Sequence, residues 1–380
     1  MACGLVRSDG LAGDGNVGDR VDSTLSRDVS VDVVDGNFNP ALQQLLDEEL
    51  ATDPTTVRGL TNHLPMALVA KERLGADAEE LVRFATMYAS RITALDEPST
   101  RLDDLTWQTA IGERDAAADL RDYFVRRVND VGTDETLRTH LPALVPGVSG
   151  AAFHGVIRLA YAIEVSSPSR IAAGLAYLAE VGGPLKRLVP EAATTHDPVE
   201  VLTELSRSPK RPELPEAVNI TEAMNTVAQS ELFDSAVASL AVTDATDQKL
   251  ARMALLLYAS TDDFTALHGV TGFEAISALR PWIDDRELLS RFAFQALVAA
   301  YLSIGAPPVW SRGRLDDFVG ADESDPNEVA AILQRFCPHV GFHAFLRSQK
   351  WRLLASDSMI VGIHYDMAYI IRYLDRQDGN

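Results

Sequence analysis

Residues 150–181 read GAAFHGVIRLAYAIEVSSPSRIAAGLAYLAEV. Apolar residues recur three and four apart on both sides of a Ser-Ser-Pro break, which is the spacing of amphipathic helices. The pattern predicts two helices, 150–165 and 167–181, packed as an antiparallel pair with Ser167 capping the second. Outward from this pair the same period returns. Pro40 stands at a first-turn position of a helix over 40–50. Further helices are expected over 55–74, 76–95, 115–128, 216–242, 246–260, 263–280, 284–304, 326–348 and 351–375. Strand-like alternation is confined to Val29–Val34, and no repeat of fixed period is present. The expected fold is all-α: a single large helical domain over 39–380 around a central ligand cavity, behind a flexible N-terminal tail over 1–38 rich in Gly, Asp and Ser. The Pro-rich stretch 208–215 (SPKRPELP) reads as a surface loop inside that domain.

Composition narrows the function classes. A chain of 380 residues with 46% hydrophobic residues can bury a large core, which excludes wholesale disorder. A net charge of −21 opposes binding to a phosphate backbone or an anionic bilayer, so neither nucleic acid nor membrane is expected as a partner. The longest apolar window, Phe292–Ile304, is interrupted by Gln295 and Ser303 and is too short to span a bilayer. Cys3 and Cys337 form no disulfide framework and no CxxC site; with no signal-peptide pattern at the N-terminus, a cytoplasmic location is expected. GDGNVG at 13–18 matches GxGxxG formally, yet lacks the strand and helix that the fingerprint needs, so it reads as tail.

The histidines are the informative minority. His63 precedes a proline bend at Pro65. His154, Arg158 and Tyr161 share a helix face at i, i+4 and i+7, and that face reads equally as packing or as function. Gly150 and Gly155 would admit another backbone or a flat ligand. His268 follows a cap at Asp263 or Thr265, with Thr271 and Gly272 on its face. His364 lies near the end of the last apolar helix, His339 and His343 form an i,i+4 pair without a carboxylate neighbour, and His140 and His196 read as surface residues. Helical bundles build sites from inward side chains on facing helices. An imidazole-rich, carboxylate-poor set suits iron, copper or zinc better than magnesium or calcium.

Four motifs then carry a resemblance: Asn62-His63-Leu-Pro65-Met66; Trp107-Gln-Thr-Ala-Ile-Gly112; Leu144-Val-Pro-Gly147 followed by His154-Gly-Val-Ile-Arg158; and Leu267-His268-Gly-Val-Thr271. In this order and at these separations the chain resembles the questin oxidase-like family over residues 55–375. The resemblance implies an oxygenase of natural-product pathways, acting on a polycyclic aromatic polyketide with oxidative ring opening or C–C cleavage. It implies non-haem iron (Fe2+) held by His63, His154 and His268, with dioxygen as co-substrate. Some family members are described as Baeyer–Villiger-type oxidases, which admits NADPH although no binding motif for it is present. Where the family carries a further histidine and a lysine near the C-terminus, this chain has Met359 and Gly362; His364, later on that helix, is the candidate replacement ligand. Within that reading Arg158 would stabilise a phenolate or quinone oxygen and Tyr161 would donate a hydrogen bond. A metal-independent oxygenase and a non-catalytic or cyclase-like polyketide-binding helper are the alternatives.

Overall fold

The helix pair over 154–181 sits at the centre of the structure, a computed structural model describing residues 38–73, 76–188, 192–214, 219–261, 263–311 and 313–314. Its first member, α6 (His154–Glu164), and its second, α7 (Pro168–Val181), pack along their length because small residues let the backbones close up. A Cβ on Gly174 would overlap Leu159, and one on Gly155 would press on Leu178 and Val181. The neighbour that Gly150 and Gly155 admit is therefore the α7 chain. In α7 every residue from Arg170 to Glu180 is buried, as expected for the central helix of a bundle.

Three further layers enclose the pair. On one side lies α4 (Ala117–Val131), followed by α5 (Thr133–Leu144). At one end are α1 (Pro40–Glu49), α2 (Leu64–Arg73) and α3 (Ala78–Tyr88). The second half adds α8 (Pro198–Arg207), α9 (Ile220–Val227), α10 (Glu231–Ala238), α11 (Thr246–Thr261), α12 (Phe264–Ala278) and α13 (Arg286–Ser303), with α12 lying against α6. Among the described residues there are isolated bridges but no strands, and one hydrophobic cluster runs from Leu42 to Ala306. The 208–214 stretch is thus a loop within one helical domain. No helix among the described residues is long and apolar enough to cross a membrane.

Several boundaries differ from the sequence expectation, each for a local reason. The helix expected from residue 55 begins at Leu64, because Asn62 Oδ1 accepts from Leu64 N and Gly59 turns the chain at φ +74°. The 216–242 stretch divides at Ser230, whose hydroxyl caps α10 by accepting from Phe233 N. Ser167 makes no side-chain cap; Pro168 at the first helical position starts α7 instead. Helices α5 and α8 were not anticipated. α5 carries Pro142 inside it, and α8 opens on an Asp197 cap followed by Pro198. His140, expected at the surface, is buried on α5, where Nδ1–H donates to Thr136 O and Nε2 meets Tyr123 Oη at 2.8 Å. The tail up to residue 37, and the expectations for Cys337, His339, His343, Met359, Gly362 and His364, lie outside the described residues.

The start of α6 is the least regular backbone in the bundle. Ala151, Ala152 and Phe153 hold φ of 48°, 53° and 69°, three consecutive left-handed residues of which none is glycine. Such a residue costs about 1–2 kcal/mol through the Cβ–carbonyl clash. Ala151→Gly relieves that clash at a partly exposed position, at the expense of extra unfolded-chain freedom. The variant is expected to raise stability by up to about 1 kcal/mol in denaturant unfolding. A loss of similar size would contradict the strain.

Candidate functional site

The irregular turn delivers His154 at the first position of α6. There its Nδ1 meets Ala151 O at 2.6 Å. The other two candidate imidazoles arrive by different routes with the same outcome. His63 ends the loop before α2, and its Nδ1 meets Thr61 O at 2.8 Å. His268 lies in an early turn of α12, which Asp263 caps by accepting from Thr265 N and Ala266 N, and its Nδ1 meets Phe264 O at 2.7 Å. A carbonyl can only accept, so each Nδ1 carries a proton and donates it. In a neutral ring with that proton, Nε2 is the nitrogen that can accept or ligate.

The three rings converge. His63 and His154 have centroids 4.6 Å apart with their Nε2 atoms 2.7 Å from one another, and His154 and His268 have centroids 5.0 Å apart. His63 and His268 are buried and His154 is partly buried. Burial, with the neighbouring imidazoles adding to it, holds His154 well below the usual histidine range; burial likewise depresses His268 to about 4. With both Nδ1 atoms protonated, the Nε2···Nε2 contact at 2.7 Å needs a proton or a cation between the two nitrogens. Burial disfavours the proton.

This donor set fits a transition metal: three imidazoles, each Nδ1–H anchored in the manner that orients metal-ligating histidines. Among the described residues no three metal-capable groups already stand at the spacing of a formed site. Ligands about 2.1 Å from one ion are separated by about 3.0–3.4 Å, so His63 and His154 must part by a few tenths of an ångström.

His63 is held from behind by a buried polar knot. Arg158 Nη2 pairs with Glu49 Oε1 at 2.5 Å, and Nη1 donates to Asn62 O at 2.9 Å. Asn62 Nδ2 donates to Glu49 Oε1, Thr52 Oγ1 and Asp53 O. Thr61 Oγ1 meets Tyr177 Oη at 2.6 Å, and Tyr88 Oη accepts from His63 N. Arg121, from α4, donates to Leu50 O. Glu180 completes the cluster: burial and the nearby Asp53 raise its carboxyl to about 8, so at neutral pH it adds little negative charge beside Glu49 and Asp53. Arg158, expected to touch substrate oxygen, thus spends these donors on Glu49 and on the chain entering His63. These bonds brace the chain entering His63, and Arg158 also lines the cleft beside Tyr161.

Tyr161 is buried and lines a shallow cleft, about 330 Å³ including open solvent, whose wall also includes Glu49, Arg158, Leu46, Pro65 and Met66. The Trp107–Gly112 motif stands apart from the imidazoles. Trp107 stacks on Tyr123 with centroids 5.9 Å apart, and Gly112, at φ +82°, donates its N–H to Ala179 O. Its work is to seat the chain on α4 and α7. Sequence reading missed Glu49 and Asn62 as supporting residues, and Phe264. The half-exposed Phe264 ring meets His268 edge-on at 4.5 Å. A buried Glu within reach of a buried Arg is not visible from residues 109 apart.

Two outcomes test the site as built. Removing one partner of a buried ion pair strands the other charge, so Glu49→Ala is expected to cost on the order of 3–5 kcal/mol in denaturant unfolding. The double variant Glu49→Leu with Arg158→Met is expected to cost less; equal losses would contradict the pairing. The second outcome concerns pH. The folded-state pKa of His268, about 4, lies below its ordinary 6.5. Its contribution is therefore intact above pH 6.5 and is lost as pH falls from 6.5 toward 4, where only the unfolded chain takes up the proton. His268→Gln is expected to flatten stability in that window, as read by thermal unfolding across pH; an unchanged slope would argue against a buried neutral imidazole.

The questin oxidase-like family model matches residues 60–345 of the chain. No curated protein matches it.

Proposed function

We propose, from the premise that the chain belongs to the questin oxidase-like family, that it is an oxygenase of aromatic polyketide pathways which opens a ring, or cleaves a C–C bond, of a flat anthraquinone-like substrate. The observation that carries the proposal is the convergence of the His63, His154 and His268 rings, each with its Nδ1–H tied to a carbonyl. Non-haem iron is the metal of the proposal, and when bound it supplies the redox chemistry that activates dioxygen. His63, His154 and His268 would hold it, with His364 as the further ligand carried from the sequence.

The rest is done by the chain itself. The depressed pKa values keep His154 and His268 neutral at neutral pH, so protons compete weakly for their Nε2 atoms. Glu49, Asn62 and Arg158 fix the entry of His63. Phe264 offers an aromatic edge next to His268 on the solvent side, suited to a flat aromatic ligand. Tyr161 remains a candidate hydrogen-bond donor only for a substrate that reaches the α1–α2–α6–α7 cleft.

The Nε2···Nε2 contact at 2.7 Å favours a second reading in one respect. A neutral imidazole pair can accept one proton from an electron-rich hydroxyaromatic, which then reduces dioxygen without a metal. Metal analysis of the purified full chain, paired with product mass from a hydroxyanthraquinone, decides. The proposal expects bound iron, activity lost on chelation and restored by Fe2+, and products heavier by one or two oxygen atoms. His63→Ala and His154→Ala are each expected to lower metal affinity by about a hundredfold or more. Activity that survives exhaustive chelation selects the metal-free oxygenase, and unchanged product mass overturns both in favour of a binding helper.

A further inference from the structure

Phe153 and Gly272 each stand close in the chain to one of the imidazoles. Phe153 immediately precedes His154, and Gly272 stands one turn after His268 on the same face of α12. The Phe153 side chain is fully buried, and it fills the space that a side chain on residue 272 would need: a Cβ there would overlap Phe153 Cβ, Cγ and Cδ1. Glycine in a helix interior costs about 0.5–1 kcal/mol relative to alanine, so this notch opposes helix stability. The turn that aims the ring is costly as well, since Phe153 is the third of three left-handed non-glycine residues. Two locally unfavourable features meet in one contact, and that contact joins the helix of His154 to the helix of His268.

We infer that Phe153 and Gly272 are a positioning pair: the Phe153 ring seated in the Gly272 notch sets the separation of the His154 and His268 imidazoles. This rests on the metal-site reading for its functional meaning, though the geometry stands without it. The turn is braced from its other side too, where a Cβ on Gly150 would overlap the carbonyl of Val181. With α7 behind the turn and α12 in front, Phe153 cannot yield without carrying Ala151 and His154 along, because Ala151 O is the partner of His154 Nδ1. Adding one methyl group at 272 therefore moves His154 away from His268. Gly269 in the same helix provides the contrast: a Cβ there would meet only the tip of Leu297, at 3.2 Å, a flexible side-chain end that can give.

The test uses the full chain with histidine side chains isotopically labelled, without added metal and then with Co2+. In Gly272→Ala the His154 and His268 ring resonances are expected to shift together and Co2+ affinity to fall by about tenfold or more, the size typical of lost ligand orientation. Gly269→Ala is expected to leave the His154 resonance in place and Co2+ affinity within about twofold, below the range for disturbed ligand support. Should Gly272→Ala fail to fold, Phe153→Leu decides, since it empties the notch, keeps the Cβ and is expected to shift the same two resonances. Unmoved His154 and His268 resonances in a folded Gly272→Ala or Phe153→Leu overturn the positioning pair. A wild-type chain that binds no Co2+ removes the metal-site reading instead, leaving the metal-free resonances to judge the pair.

Discussion

Three backbone carbonyls, those of Thr61, Ala151 and Phe264, hold the protons of three imidazoles and set how those rings meet. Each Nδ1–H···O=C bond fixes a tautomer and a ring orientation at once. Together they bring the His63 and His154 Nε2 atoms to 2.7 Å, with the His268 ring 5.0 Å from that of His154. The carbonyls are presented by unlike devices: a loop hung from a polar knot, a left-handed turn and the first turn of a capped helix. Their common result is the same tautomer at three rings that converge.

The scaffold bears costs to keep that arrangement. The Glu49–Arg158 pair is taken out of water, and a buried ion pair contributes little net stability compared with apolar packing of the same volume. What it supplies here is fixed geometry: with Asn62, it ties the end of α1 to α6 and to the residue before His63. The turn over 151–153 and the glycine at 272 add strain and lost helix propensity. Costs of this kind persist where the surrounding packing over-determines them, and here they cluster around the imidazoles.

Much of the fold was legible in the sequence because helical period and caps are local. The α6–α7 pair, α11, α12 and α13 follow from the spacing of Leu, Ala and Val and from caps such as Asp263. The division at Ser230 and the late start of α2 were missed, since a cap side chain inside a periodic run gives no signal until its partner N–H is known. At the site, His63, His154 and His268 were found as residue types in motifs, and the structure brings these three together. Arg158, expected to stabilise a substrate oxygen, also binds a carboxylate 109 positions away and a main-chain carbonyl, partners that no local pattern reveals. The Gly150 and Gly155 openings were read correctly as close approaches, with α7 as the occupant.

X-ray absorption at the metal edge of the iron-loaded chain measures directly whether His63, His154 and His268 ligate one metal, as proposed. At least three imidazole nitrogens are expected at about 2.0–2.2 Å, with the imidazole signal reduced in His154→Ala. A shell of oxygen atoms alone, or an imidazole signal unchanged by His154→Ala, would contradict that ligation.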